Sequence, residues 1–221
     1  MRTLLLNFKN YPEALGEGAV KLALAAEKVA AKTKVEMIVS PQNSTLALVA
    51  SKVSIPVFSQ SVGSESGEKT TGADIPEAAL AAKAAGTLLN HSEARKPQAE
   101  LRLLVPRVRG LGLRVCLCAR SVKESVALSV LGPEYMAVEP PELIGSGIAV
   151  SKARPEIVRG TVEGLRRAGY RGRILCGAGI VKGEDVSKAV ALGADGVLVS
   201  SSVVKARDWE GKIAELALSL G

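Results

Sequence analysis

Histidine occurs once in the 221 residues, at His91, so a metal site built from several imidazoles is excluded. The three cysteines, Cys116, Cys118 and Cys176, are odd in number and lack zinc-ribbon or C-x-x-C spacing. Val115-Cys116-Leu117-Cys118 is an apolar run, where a thiol acts as a small hydrophobe, and all three are expected to be buried and reduced. Aromatic residues make up 3%, too few for a base-stacking surface, so the net charge of +7 does not read as nucleic-acid binding. That charge is spread along the chain. Its densest basic stretch, 102–114, mixes with leucines at helical spacing and reads as a solvated helix face. The positive balance suits steering of a small anion. No apolar stretch reaches the length that spans a membrane. The start, Met1-Arg2-Thr3-Leu4-Leu5-Leu6-Asn7-Phe8-Lys9, turns polar too soon for a signal peptide, which predicts an intracellular, cytoplasmic protein. Asparagine and glutamine total seven residues, a composition that suits a thermophile.

What is present is ordinary in amount and regular in order. Hydrophobic residues are 47% and charged residues 23%, as in a globular chain long enough for a sizeable core, and 1–221 reads as one domain. Short, nearly continuous apolar runs fall at 4–6, 37–39, 57–58, 87–89, 115–117, 136–138, 174–176 and 197–199. Runs of that kind are strands of a parallel sheet covered on both faces. Between them lie stretches at helical spacing, such as Leu22, Ala26 and Val29, or Val158, Val162 and Leu165, or Val186, Ala189 and Val190. Gly86, Gly112, Gly132, Gly169 and Gly193 follow helices, where a left-handed residue ends the last turn. Eight strand–helix units without a linker predict a closed (β/α)8 barrel, compact and with shortened helices. A doubly wound open sheet is the competitor. It often carries a glycine-rich turn after its first strand, and here Asn7-Phe8-Lys9-Asn10-Tyr11-Pro12 follows instead.

Parallel barrels carry their chemistry at the carboxyl ends of the strands. Those ends supply Asn7, Lys9, Gln60, His91, Cys118, Glu139, Cys176, Gly177 and Ser200. The carboxylate at Glu139 either merely starts a loop or faces a barrel mouth with apolar walls, where it would be a competent base. The segment 140–147 after it has prolines at its entry, apolar Leu143 and Ile144 at its tip and glycines at 145 and 147. It reads as a lid that closes over a ligand, with a subunit contact as the alternative. Gly177-Ala178-Gly179 and Ser200-Ser201-Ser202 are small enough for backbone amides to approach an anion, and loops seven and eight of such barrels frequently bind phosphate. Lys9 could add positive charge there or be a solvated loop lysine.

These residues resemble a known family. Asn7-Phe8-Lys9, Asn90-His91-Ser92-Glu93, and Glu139-Pro140 with Ile144-Gly145-Ser146-Gly147 are similar to the motifs of the triosephosphate isomerase family. Its shorter archaeal branch matches further through Pro140-Pro141-Glu142-Leu143-Ile144-Gly145 and Cys176-Gly177-Ala178-Gly179-Ile180. The resemblance runs the whole length, with the motifs in order. It implies interconversion of dihydroxyacetone phosphate and D-glyceraldehyde 3-phosphate through an enediol(ate), in glycolysis and gluconeogenesis, with no cofactor. It implies Glu139 as catalytic base, His91 as electrophile, Lys9 as the cation that binds substrate and Asn7 as its neighbour in that contact. Glu93 would hold the lysine, and Ser92 would lie near the base when the site is open. Gly145, Gly177, Gly179, Ser200 and Ser201 would surround the phosphate. Gln60 and Thr71-Gly72 fall where the family reaches into a neighbouring subunit, so a homo-oligomer is implied, a dimer at minimum and a tetramer by the archaeal-like brevity. Leu101, Leu103 and Leu104 could lie at such a contact or in the barrel's outer core.

Departures from the family pattern concern the phosphate and the lid. Ser200-Ser201 replaces a glycine pair, Cys176 and Gly179 stand where tyrosine and serine are usual, and Ser146 replaces threonine. Rival readings fit less well. A sugar-phosphate aldolase wants a lysine inside a strand, and Lys9 lies beyond its run. A metal-dependent epimerase wants several histidine and carboxylate ligands. A binding scaffold with a decayed site should have lost Lys9, His91 or Glu139. If 92–95 forms a helical turn, its positive end disfavours a protonated His91, which would then act as a neutral hydrogen-bond donor while Glu139 moves the proton.

Overall fold

Each apolar run becomes a strand. A computed structural model describes residues 1–66, 68–140 and 149–221, with Val150 and Lys152 through their backbone alone. The strands are β1 (Thr3–Asn7), β2 (Glu36–Ser40), β3 (Phe58–Ser59), β4 (Gly86–Leu89), β5 (Arg114–Ala119), β6 (Tyr135–Val138), β7 (Arg173–Cys176) and β8 (Gly196–Val199). All pairings are parallel and run in the order β2-β1-β8-β7-β6-β5-β4-β3. The ring closes between β2 and β3 through a bridge from Val39 to Val57, where the Val39 amide donates to the Pro56 carbonyl at 3.1 Å. The fold is the expected (β/α)8 barrel. Its outer helices are α1 (Glu17–Ala30), α2 (Leu46–Ala50), α3 (Pro76–Ala81), α4 (Gln98–Gly110), α5 (Val122–Ser129), α6 (Val150–Ala153), α7 (Pro155–Arg167), α8 (Gly183–Ala191), α9 (Ser201–Val204) and α10 (Trp209–Leu218). None of the described helices is long and apolar enough to cross a membrane.

Strand pleating divides the apolar runs between two cores. Leu5, Ile38, Phe58, Leu88, Cys116, Cys118, Tyr135, Ala137, Leu175 and Leu198 fill the barrel interior. Their neighbours, such as Leu4, Leu6, Met37, Val39, Val115 and Leu117, join the shell under the helices. Leu101 and Leu104 belong to that shell, whereas Leu103 is 74% exposed. All three thiols are free and buried.

Gly112, Gly132, Gly169 and Gly193 adopt positive φ, as their places after helices predict. Gly86 does not. Lys83, at φ 62°, takes the left-handed position after α3, and Gly86 opens β4. A Cβ there would lie 2.6 Å from Cζ of Phe58 and against the Arg114 carbonyl, so this glycine makes room for an interior ring.

The basic stretch 102–114 is also more than a solvated face. Arg102 is exposed, but Arg107 holds Glu77 in two bonds of 3.0 and 2.7 Å. Arg114 leaves the helix altogether and enters the barrel floor. There its Nη1 bonds Glu36 and the Tyr135 hydroxyl, both at 2.8 Å, and its guanidinium lies 5.3 Å from the Phe58 ring centroid. Arg173 completes the plug, pairing with Glu36 and donating to Thr3 Oγ1 at 2.7 Å. Burial, aided by the Glu36 charge, pushes the Tyr135 phenol far up, so it remains a donor to Glu36. With the amino end sealed by charge and packing, the carboxyl end is where a ligand can enter.

Candidate active site

Lys9 follows β1 in an unfavourable backbone conformation, φ 48°, which a lysine adopts only when its surroundings impose it. Two side chains do so. Asn7 Oδ1 accepts the Lys9 amide at 3.0 Å, and the Gln60 amide donates to the Lys9 carbonyl at 2.9 Å and to that of Ser40 at 3.2 Å. Asn7, expected as a substrate contact, is buried and spends its oxygen shaping this turn. Gln60, expected at a subunit contact, has its amide engaged within the chain. The ammonium of Lys9 reaches across to Glu93 Oε1 at 2.6 Å, the pairing foreseen for Glu93.

His91 follows Asn90, another left-handed residue (φ 61°), whose side chain is tied to the Cys118 carbonyl at 2.9 Å and to the Lys96 amide at 3.1 Å. The imidazole is 5% exposed. Its Nδ1 accepts the Glu93 amide at 3.2 Å and lies 3.9 Å from the Glu93 carboxylate, too far to donate to it. A nitrogen that accepts a hydrogen bond carries a lone pair, so the neutral ring has its proton on Nε2. The expected helical turn after His91 is a single hydrogen-bonded turn, Ala94 amide to His91 carbonyl at 2.8 Å, with α4 starting only at Gln98. One backbone amide, rather than a helix, therefore selects the tautomer of the neutral ring.

Glu139 stands one residue beyond β6, with its amide bound to the Ala119 carbonyl at 2.8 Å. It is 4% exposed, Oε1 lies 3.6 Å from His91 Nε2, and Oε2 has no hydrogen-bond partner among the described residues. Two thiols lie close to it. Contact with Cys116, burial and the Glu139 charge hold the Cys118 thiol well above its ordinary range. Burial, then the same carboxylate, push Cys176 up to about 12, with the Ser151 amide opposing. Both thiols are protonated and inert near neutrality, in keeping with a structural role.

Gly177, expected among the phosphate contacts, has its amide engaged by the Val138 carbonyl at 3.0 Å. Its function is space: a Cβ would lie 2.5 Å from Glu139 Cγ and 3.0 Å from Oε1. Gly177→Ala should therefore displace the carboxylate and lower kcat about 100-fold, since misplacing a reacting group by about 1 Å costs that much. Unchanged kcat in the folded variant would show that the contact is irrelevant.

Lys9, His91, Glu139, Gly179, Ser200 and Ser201 line one cleft. Tyr11, Ala178, Ile180, Val181 and Ser202 join them, none of which the motifs had marked individually as site residues. Ala178 and Gly179 are consecutive left-handed residues, φ 71° and 72°. The amides of Ala178, Gly179 and Ile180, and those of Ser201 and Ser202 opening α9, donate to none of the described residues. Ser200 Oγ and Ser202 Oγ are buried and equally without a partner among them. Converging free amides form a concavity suited to an anion. The left-handed Ala178 could not be foreseen, because alanine gives no signal for positive φ. Ser92 Oγ is buried without a partner among the described residues, and Ser92 and Glu139 line a second cavity together with Arg95 and Arg120. Thr71 is exposed at a turn remote in sequence from these loops. Gly145 and the rest of the expected lid beyond Pro140 lie outside the described residues. No cluster of three or more histidine, cysteine or acidic side chains among the described residues could hold a metal.

A closed eight-stranded barrel with a buried carboxylate, an imidazole, an ammonium and amides without partners among the described residues at its carboxyl rim defines a (β/α)8-barrel enzyme. The profile of the family described as triosephosphate isomerase matches residues 2–217. Relatives called triosephosphate isomerase occur in Methanosarcina barkeri (44% identical over 96% of both chains) and Methanocaldococcus jannaschii (42%, over 96% of this chain and 97% of that one). Another, from Caldivirga maquilingensis, is 43% identical over 98% of this chain and 96% of its own. The chain belongs to the triosephosphate isomerase family.

Proposed function

We propose that the protein interconverts dihydroxyacetone phosphate and D-glyceraldehyde 3-phosphate, a step of glycolysis and gluconeogenesis. The observation that carries this reading is a carboxylate oxygen on Glu139, without a hydrogen-bond partner among the described residues, within one cleft with Nε2 of His91. Glu139 takes a proton from the carbon beside the carbonyl, and the electron pair of that C–H bond becomes the carbon–carbon double bond of an enediolate. His91 Nε2–H donates to the oxygen on which charge grows, and Lys9 adds positive charge in the same low-dielectric site. The charged oxygen then takes up a proton as the neighbouring enediol hydroxyl gives one up, an exchange that His91 Nε2 is placed to relay, and Glu139 returns its proton to the adjacent carbon, which completes an isomerisation without net oxidation. The amides of Ala178, Gly179, Ile180, Ser201 and Ser202 receive the phosphate.

In a coupled assay with a chelator present, the protein should turn over both triose phosphates. Absence of turnover in a folded sample would overturn the reading. Assembly belongs to the same proposal: Thr71, exposed beside the left-handed Gly72, enters the groove near Glu93 of a second copy, in a dimer or a tetramer built of dimers. Light scattering should give at least twice the mass of one chain. A monomer at micromolar concentration would refute this part.

A further inference from the structure

The loop between β7 and α8 has two left-handed residues in succession and several amides without partners among the described residues, so some other contact must select its shape. Asp185, buried at 4% exposure in the first turn of α8, is the side chain that grips it. Its Oδ2 accepts the amides of Val181 and Lys182, both at 3.0 Å. Its carbonyl accepts the hydroxyl of the fully buried Ser151 at 3.1 Å, which ties the loop to α6. An acidic residue in the third position of a helix ordinarily caps that helix, and for this the Lys182 amide suffices. The Val181 bond is different. Val181 lies outside the helix and lines the cleft, next to Ile180 and the left-handed pair. With the amides of Val181 and Lys182 drawn back onto one carboxylate oxygen, those left without partners among the described residues are Ala178, Gly179 and Ile180.

We infer that Asp185 is a positioning residue for phosphate recognition: it sets the loop conformation in which three backbone amides face the anion, without touching the substrate itself. This rests on the isomerase reading above. Steady-state kinetics of Asp185→Ala on D-glyceraldehyde 3-phosphate and on unphosphorylated glyceraldehyde test it, with phosphoglycolate as a competing anion. The loss of aligned hydrogen bonds to a charged group should raise KM for the phosphorylated substrate and Ki for phosphoglycolate about tenfold or more. Turnover of glyceraldehyde, which presents no phosphate, should change less than about twofold, because the base and electrophile are untouched. A parallel loss on both substrates would reduce Asp185 to a helix cap, and an unchanged Ki would remove it from anion binding altogether. Should Asp185→Ala not fold, Asp185→Asn carries the test. Its amide oxygen still accepts both bonds more weakly, so Ki should rise about threefold with glyceraldehyde turnover unaffected, and an unaltered Ki would overturn the inference. Failure of the wild type to turn over glyceraldehyde 3-phosphate would sink the isomerase reading instead, so the two failures are separable.

Discussion

Glu139→Gln should lower kcat for glyceraldehyde 3-phosphate by about 10³-fold while leaving the protein folded, since general-base catalysis contributes about 10²–10⁴. Glutamine has nearly the same shape and fits the space above Gly177, so packing is conserved while the proton acceptor is lost. The variant should also melt no lower than the wild type. Glu139 is 4% exposed and its Oε2 has no partner among the described residues, so one oxygen of the carboxylate is buried without a hydrogen bond. A neutral amide relieves that desolvation. Activity and stability should therefore move apart, as they do when strain is kept for function. Thermal unfolding followed by circular dichroism, beside the coupled assay, checks both. Retained turnover would mean that another group abstracts the proton.

Lys9→Met should reduce kcat/KM by about 10²–10³-fold, the scale of removing one preorganised electrostatic contact in a closed site. Methionine keeps most of the stem volume and leaves the turn set by Asn7 and Gln60 in place. The substitution also frees the Glu93 carboxylate, now 2.6 Å from the ammonium, to repel an incoming phosphate. Part of the loss should then be recovered in Lys9→Met/Glu93→Gln. Glu93→Gln alone should cost little, because Glu93 is 58% exposed at its side chain and an exposed pair is worth little in water. Measuring kcat/KM for the four proteins in a double-mutant cycle separates the two effects. If Lys9→Met lost nothing, the lysine would be the solvated loop residue that its position alone also allowed.

Much of the barrel is legible along the chain because parallel strands are buried on both faces. Burial leaves continuous apolar runs, and the eight runs coincide with the eight strands. The register of chemistry at their carboxyl ends is legible for the same reason: a polar residue within two positions after such a run, as at Asn7, His91, Glu139 or Ser200, has nowhere to go but the rim. What escaped reading is the set of residues whose meaning depends on a partner far away in sequence. Gly86 looks like a helix terminator and is a gap for the Phe58 ring. Arg114 looks like part of a basic helix face and is the plug under the barrel. Gln60 secures Lys9, 51 positions away.

The strand pattern, the single histidine and the ordered rim residues are properties of composition and spacing, so the sequence alone determined the architecture and the groups that can do chemistry. Which nitrogen of His91 carries the proton, which amides are left without partners among the described residues, and why a side chain at Gly177 would crowd Glu139 were decided only by tertiary structure. Each of these depends on the distance between groups that folding brings together. A hydrogen bond or a steric clash is made or lost within a few tenths of an ångström, which spacing along a chain does not encode.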